Sequence, residues 1–174
     1  MDVDSPAGRS GGSSPGNRCS ASAPGIPRCR LSLVIDMSTS ARDILERART
    51  IAVVGASRNP DKAGGSVPGG LQRRGFRIIP INPFADELFG ELVYRSLSDV
   101  PVPIDLVDVF RPASDAPEIA RQAVAVGAKA LWLQLDIRSE EARAIAEAAG
   151  LDYVENQCTA VVSSLYQIRK PTAA

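Results

Sequence analysis

Short apolar runs alternate along this chain with stretches of helical periodicity. Runs such as I-A-V-V and L-V-D-V-F are almost continuously apolar, which is typical of strands covered by helices on both faces of a sheet. The stretches between them repeat apolar residues at helical spacing. This alternation favours a parallel sheet with crossover helices, so the pattern predicts the α/β class.

The pattern also places the individual elements. The predicted strands are 50–54, 77–81, a short one near 92–94, 106–110, 130–135 and 153–154, and the predicted helices are 41–48, about 65–74, 114–126 and 139–149, with a loop around 84–90. Gly75, Gly127 and Gly150 each follow a helical stretch, where a left-handed cap is expected. We therefore expect a single Rossmann-like domain with a parallel sheet of about five strands and helices on both faces.

Several hydroxyl residues stand where helix caps are needed. Ser40 and Asp43 have capping-box spacing, and Ser114 and Ser139 stand at the start of the third and fourth predicted helices. Pro68 lies inside the second predicted helix. Because proline is tolerated only in the first turn of a helix, it is expected to move the start of that helix towards Val67.

The first 36 residues are dense in Ser, Gly and Pro and show almost no apolar periodicity. They cannot bury enough apolar surface to offset the entropy lost on ordering, so we expect a disordered tail over 1–36 and a folded domain over 37–174. Met37 directly precedes the first helical pattern. One hypothesis is that it is the true start of the protein.

Composition then excludes several function classes. Twenty basic residues balance twenty acidic ones, which argues against nucleic-acid binding. The chain has no histidine, and its three cysteines form no C-x-x-C pair, so we predict no catalytic residue and no metal ligand. The cysteine pattern fits a reduced cytoplasmic setting, and because no run of about 18 apolar residues exists, no association with membranes is expected.

The loop after the first predicted strand could hold phosphate. It reads G-A-S-R-N-P-D-K-A-G-G-S over 55–66 and leads into a helix amino end, where unpaired N–H groups attract anions. Gly55 permits close backbone approach, and Ser57, Lys62 and Ser66 add donors. An ordinary polar turn remains the alternative, because the loop departs from both G-x-G-x-x-G and G-x-x-x-x-G-K-[ST].

Other candidate residues follow the remaining strands. The P-I-N-P segment over 80–83 is either a stiff wall for a base or an ordinary strand exit, and no acidic residue stands there to accept the ribose hydroxyls of NAD. Arg111 is either a phosphate partner or a solvated charge. Gln134 could contact a ligand, whereas Trp132 is expected in the core. For Cys158, packing is favoured over redox or nucleophilic chemistry.

With these segments in hand, residues of about 37–170 resemble the stand-alone bacterial CoA-binding domain proteins, which are related in fold to the CoA-binding domain of succinyl-CoA synthetase. The resemblance is carried by seven segments, which are I-A-V-V-G-A-S, G-G-S, G-F-R-I-I-P-I-N-P, G-E-L-V-Y-R-S-L-S-D-V, I-D-L-V-D-V-F-R-P, G-A-K-A-L-W-L-Q-L and E-N-Q-C. It implies coenzyme A or acyl-CoA across the carboxyl rim of the sheet, with the diphosphate near Gly55 to Ser57 and the adenosine near Pro80 to Pro83. By the same resemblance, Phe110, Arg111 and Gln134 are expected to line the cleft. The residues around Cys158 depart from the D-R-C run of many relatives.

The sequence thus predicts a binding or regulatory module without catalysis. The competing interpretation is a nucleotide-dependent enzyme, either an NAD(P) oxidoreductase or a ligase-like subunit acting with a partner chain. A homodimer is left open. The candidate cofactor-binding residues are Gly55, Ala56, Ser57, Arg58, Lys62, Ser66, Pro80, Asn82, Pro83, Phe110, Arg111 and Gln134.

Overall fold

The computed structural model describes residues 40–171. Its strands are β1 (Thr50–Val54), β2 (Arg77–Ile81), β3 (Glu87–Leu88), β4 (Glu91–Leu92), β5 (Leu106–Val109), β6 (Ala130–Leu133) and β7 (Asp152–Val154). Its α-helices are α1 (Ala41–Arg47), α2 (Ala63–Arg73), α3 (Ala116–Ala125), α4 (Glu140–Ala148) and α5 (Thr159–Leu165), with single 3₁₀ turns at Leu97–Asp99 and Ala113–Asp115. The predicted tail over 1–36 and the proposed start at Met37 lie outside the described residues.

Five strands form one parallel sheet in the order β2-β1-β5-β6-β7. The chain first adds β2 on one side of β1 and then returns to add β5 on the other side. The strand order therefore reverses between β1 and β5, and ligands of open α/β sheets bind beyond the carboxyl ends of the strands at this kind of point. The predicted α/β Rossmann-like fold is confirmed.

Two apolar clusters, one on each face of the sheet, form the core. One joins Ile51, Val53 and Trp132 to residues of α1, α2 and α5, and the other joins Val107 and Leu131 to residues of α3 and α4. Trp132 is fully buried, as expected, and its indole N–H donates to the carbonyl of Gln157 at 2.7 Å. Successive residues of a strand point to opposite faces, which explains why neighbours such as Leu131 and Trp132 enter different clusters.

Most of the predicted caps are confirmed. Ser40 and Ser139 accept from the backbone N–H groups of Asp43 and Ala142, both at 3.2 Å. The glycines at 75, 127 and 150 have φ values of +89°, +68° and +75°. Ser114 does not cap α3, because the chain turns through a 3₁₀ helix first and the Ser114 hydroxyl donates to Asp115 instead.

The expectation that Pro68 delays the second helix is wrong. The helix α2 begins at Ala63 and continues through Pro68. Proline lacks the N–H that would bond to the carbonyl of Gly64, four residues earlier. That carbonyl instead accepts from the N–H of Ser57 at 2.9 Å, so the missing helical bond is replaced by one from the preceding loop.

Two elements were not anticipated from the sequence. The predicted loop at 84–90 contains β3, which pairs with β4 as a small antiparallel hairpin. The second element is the seven-residue helix α5. Cys158 is its N-cap residue but makes no side-chain hydrogen bond there, and Val162 of the helix packs in the core. No helix within residues 40–171 combines the length and the apolar character needed to cross a bilayer.

Leu131→Ala should lower the free energy of unfolding by about 2–5 kcal/mol, because it leaves a cavity in a close-packed core. Leu131 is fully buried on β6, between β5 and β7. Leu165→Ala is the matched control, since Leu165 is 70% exposed at the end of α5, and should change stability by no more than about 0.5 kcal/mol. Urea unfolding followed by circular dichroism measures both, and equal losses would contradict the assigned core.

Candidate ligand-binding site

Two adjoining hollows open at the carboxyl edge of the sheet. The main cleft, of about 830 Å³, lies beyond β1, β2 and β5 beside α3, and the side chamber, of about 290 Å³, lies between the start of α2 and the end of β6. Both are lined by Gly55, Ser57, Lys62 and Phe110. These four shared residues therefore form the boundary at which one elongated ligand could pass from one hollow to the other.

The turn after β1 requires glycine. Gly55 has φ of +90°, and a Cβ there would lie 3.1 Å from the carbonyl oxygen of Phe110. A Cβ on Gly64 would lie only 2.6 Å from the carbonyl oxygen of Gly55. The first turn of α2 thus packs directly on the β1 turn, with no room for a side chain between them.

Some amides of this turn are already used and others are free. The N–H of Ser57 donates to Gly64, and the N–H of Gly55 donates to the carbonyl of Ile81 at 3.2 Å. Four backbone N–H groups of this segment donate to no acceptor within residues 40–171, and they belong to Ala56, Arg58, Ala63 and Gly64. Free amides at a helix amino end, with the helix dipole behind them, form an anion-binding site.

Charged and hydroxyl residues of the loop divide between two surfaces. Lys62 is exposed and lines both the main cleft and the side chamber. Arg58 and Ser66, which the sequence placed in the same site, line a separate surface hollow with Arg73. The Ser66 hydroxyl also donates to the carbonyl of Lys62 at 3.2 Å. Lys62 is therefore the cation that accompanies the free amides.

The rim after β2 is held in place by its own polar groups. The Asn82 amide donates to the carbonyl of Ala56 at 2.8 Å, and its oxygen accepts from the N–H of Phe84 at 2.7 Å. Arg95 donates to the carbonyls of Asn82 and Ala85 at 3.1 and 2.6 Å. Asn82 lines the cleft, but its side chain is engaged in joining the two rim segments.

The prolines of this rim have different positions. Pro80 is buried within β2, whereas Pro83 is exposed and lines the main cleft. Phe84, which follows it, is 92% exposed on the same cleft. Phe84 was not among the residues predicted from the sequence, although an aromatic residue directly after P-I-N-P was a visible signal. Pro83 and Phe84 together offer an apolar edge for a flat group.

Arg111 lies on the opposite wall of the main cleft. Its guanidinium contacts the Asp115 carboxylate, with Nη2 to Oδ2 at 2.9 Å and Nε to Oδ2 at 3.0 Å. Phe110, next to it, lies at the boundary of the two hollows. An anionic group that binds Arg111 therefore shares this cation with Asp115.

A buried polar cluster lies at the base of the side chamber. Gln134 Nε2 donates to Asp108 Oδ1 and to Thr159 Oγ1, both at 2.7 Å, and the Thr159 hydroxyl donates to Asp108 Oδ2 at 3.1 Å. Burial raises the pKa of Asp108 to about 7, although these hydrogen bonds and one from the backbone of Val109 act in the opposite direction. Of these three residues only Gln134 was predicted from the sequence, since no local pattern links it to Asp108 or Thr159.

Cys158 is partly buried and lines the side chamber, as Gln134 does. Ala63, Val67, Leu135 and Ile137 supply much of the remaining wall. The chamber is thus mainly apolar, with polar groups at Gln134 and Cys158 and at the boundary with the main cleft.

Comparison with known proteins places this geometry in a family. The sequence model of the family described as a CoA binding domain matches residues 49–164. The uncharacterized protein YneT of Bacillus subtilis is 34% identical over 71% of this chain and 92% of its own length. The solved structure of cell-free ID.343 from Thermus thermophilus has a TM-score of 0.68 and 37% identity, covering 71% of this chain and 94% of that one.

A longer relative matches more weakly. The ADP-forming acetate–CoA ligase II of Archaeoglobus fulgidus is 33% identical over 57% of this chain, but the match spans only 15% of the ligase. The chain therefore corresponds to one part of that enzyme.

Gly65→Ala should destabilise the protein, because the added Cβ would lie 2.1 Å from the carbonyl oxygen of Asn59. We expect a loss of about 1–3 kcal/mol from overpacking. Gly70→Ala in the same helix is the control, since the nearest atom to its Cβ is the end of the Arg73 side chain at 3.9 Å. That variant should gain up to about 1 kcal/mol from helix propensity. Thermal unfolding compares the two, and a stable Gly65→Ala protein would contradict the packed turn.

The raised pKa of Asp108 should make stability depend on pH. Between its ordinary value of 3.8 and the folded value of about 7, the folded state holds a proton that the unfolded state releases. The contribution of Asp108 is therefore largest below pH 4 and is lost as the pH rises to about 7, by up to about 4 kcal/mol. Urea unfolding of the wild type and Asp108→Asn at several pH values isolates this contribution, and a constant difference between the two would disprove it.

Proposed function

This chain belongs to the CoA-binding domain family, and from that membership we propose that it binds coenzyme A or an acyl-CoA at the carboxyl edge of its sheet. The observation that carries the proposal is the Gly55 turn, where free amides and Lys62 lie at the boundary of the main cleft and the side chamber. A ligand with a central diphosphate and an extension on each side suits this layout.

The diphosphate is assigned to the boundary itself. The amides of Ala56, Ala63 and Gly64 are available there, and Lys62 supplies a positive charge. Charge-assisted hydrogen bonds to an anion are shorter and stronger than neutral ones. Arg111 adds a second cation for the phosphate on the ribose, although Asp115 also contacts it.

The adenosine is assigned to the main cleft against Pro83 and Phe84. An exposed aromatic ring beside a stiff proline offers apolar area to a purine at little cost in conformational entropy. At the end of β2, where NAD-binding sheets place an acidic residue for the ribose hydroxyls, this chain has Asn82. Its side chain is engaged within the rim, which supports coenzyme A over NAD.

The role proposed is a cytoplasmic binding or regulatory module without catalysis. The chain has no histidine, and the carboxyl group with a pKa near neutrality, Asp108, is fully enclosed. The second candidate is an enzyme subunit that acts with a partner chain, which the similarity to an acetate–CoA ligase supports.

A thermal-shift panel with CoA, acetyl-CoA, NAD, NADP and ATP tests the proposal. A ligand present at a hundred times its Kd should add about 2.7 kcal/mol to stability. CoA and acetyl-CoA should raise the Tm, and NAD should have little effect. A shift with NAD but none with CoA would reverse the assignment.

Lys62→Gln should weaken CoA binding by about 3- to 10-fold, because one positive charge beside the diphosphate is lost. Arg77→Gln is the matched control. Arg77 is exposed at the first residue of β2, at the opposite edge of the sheet, so it should leave the Kd unchanged. Isothermal titration calorimetry at fixed ionic strength measures both, and equal effects would indicate only a loss of general positive charge.

A further inference from the structure

We propose that the side chamber receives the pantetheine arm of the ligand, and that Oε1 of Gln134 accepts a hydrogen bond from an amide N–H of that arm. Asp108 and Thr159 are then positioning residues, which hold the Gln134 side chain in the orientation that this contact needs. The inference rests on the function proposed above. It adds the recognition of the arm, which is separate from recognition of the nucleotide end.

The orientation of the Gln134 amide is fixed by its partners. Its Nε2 donates to Asp108 Oδ1 and Thr159 Oγ1 at 2.7 Å each. With the amide turned over, its oxygen would face Asp108 Oδ1, which has no proton to donate when ionised. The one Thr159 hydroxyl proton could then serve either Gln134 or Asp108 Oδ2, so only one of the three hydrogen bonds of the ionised cluster would remain. Nε2 therefore faces the interior, and Oε1 faces away from Asp108 and Thr159.

Oε1 is the group left for a ligand. Gln134 is only 5% exposed, and it lines the side chamber. Oε1 takes no hydrogen bond from any of residues 40–171, and no enclosed side-chain oxygen or nitrogen in that range lacks a partner. The atom therefore retains contact with open space, and the chamber is the open space that Gln134 lines. A nearly buried acceptor of this kind discriminates against ligands that offer it no donor.

The walls of the chamber fit the rest of the arm. Val67, Phe110, Leu135 and Ile137 are apolar and line the chamber together with Gln134. A pantetheine arm has a dimethyl group, short methylene segments and two secondary amides, so it needs apolar walls with a few polar contacts. Such a combination is typical of small-molecule sites.

The position of the chamber agrees with the path of the ligand. Gly55, Ser57, Lys62 and Phe110 line both hollows, so a diphosphate at this boundary has its adenosine side in the main cleft. Its other side then leads into the chamber.

The observed hydrogen bonds fit the ionised form of Asp108, in which Oδ1 accepts from Gln134 and Oδ2 accepts from the Thr159 hydroxyl. When Oδ2 is protonated, it donates to Thr159 Oγ1 and the Thr159 proton loses this acceptor, while Oδ1 still accepts from Gln134. Lys62 is the charged side chain that the described residues place in the chamber wall, and it lies on the ligand side rather than within the cluster.

Gln134→Met tests the contact with two ligands, CoA and adenosine 3′,5′-bisphosphate, which lacks the arm. Methionine retains the length of the side chain and removes the acceptor. By calorimetry, the Kd for CoA should rise about 3- to 10-fold, while the Kd for the bisphosphate stays unchanged. Equal changes for both ligands, or none for CoA, would overturn the inference.

The wild type separates this inference from the proposed function. Binding of the bisphosphate with no additional affinity for CoA would retain a nucleotide site and refute the arm contact. Failure of the wild type to bind either ligand would refute both.

A second pair of variants tests the positioning role. Thr159→Val should reproduce the selective loss of CoA affinity, whereas Thr159→Ser, which keeps the hydroxyl, should bind CoA like the wild type. In the Gln134→Met background, Thr159→Val should cause no further loss, because the two changes act on one hydrogen bond to the ligand. Additive losses, or a loss that extends to the bisphosphate, would assign Thr159 a merely structural role.

Discussion

The structure depends on the direct contact between the first turn of α2 and the turn after β1. A side chain cannot fit between them, since a Cβ on Gly64 would lie 2.6 Å from the carbonyl oxygen of Gly55. Pro68 reinforces the contact by leaving the Gly64 carbonyl free for the N–H of Ser57. A proline that would weaken an isolated helix therefore joins this helix to the loop before it. The free amides at the helix start are consequently held by backbone packing, which a binding site for a diphosphate requires.

The same contact determines the shape of the site. Gly55, after β1, and Phe110, after β5, pack so closely that a Cβ on Gly55 would lie 3.1 Å from the carbonyl oxygen of Phe110. Both residues line the main cleft and the side chamber, so this contact lies between the two hollows. Because the strand order reverses here, helices diverge to opposite faces of the sheet and leave a hollow on each side. The two hollows are thus a consequence of topology, and the side chains that line them determine what each can bind. The larger has an exposed aromatic rim, and the smaller has apolar walls around one amide.

Much of the fold was predictable because its causes are local. Apolar runs identified the sheet strands, and Ser40, Ser139 and Gly75 marked helix ends through rules that involve only neighbouring residues. Pro68 was misjudged because its compensating bond comes from Ser57, outside the helix. The site was predictable to the extent that it follows strand ends, but the Asp108 cluster was not. Its hydrogen bonds join residues 26 and 51 positions apart. The pairing of β5 with β6 brings Asp108 near Gln134, and the start of α5 brings Thr159 to both.

The position of Asp108 in that register bears on why the cluster exists. Its neighbours across the sheet are Val53 and Trp132, and an apolar residue would pack there without the desolvation that raises the pKa of the carboxyl. Buried polar groups of this kind contribute less to stability than well-packed apolar ones. A contribution to stability therefore does not explain why Asp108 stands at this position. The carboxylate and Thr159 together satisfy the nitrogen of Gln134 and leave its oxygen unpaired at the chamber, which an apolar residue at 108 would not do.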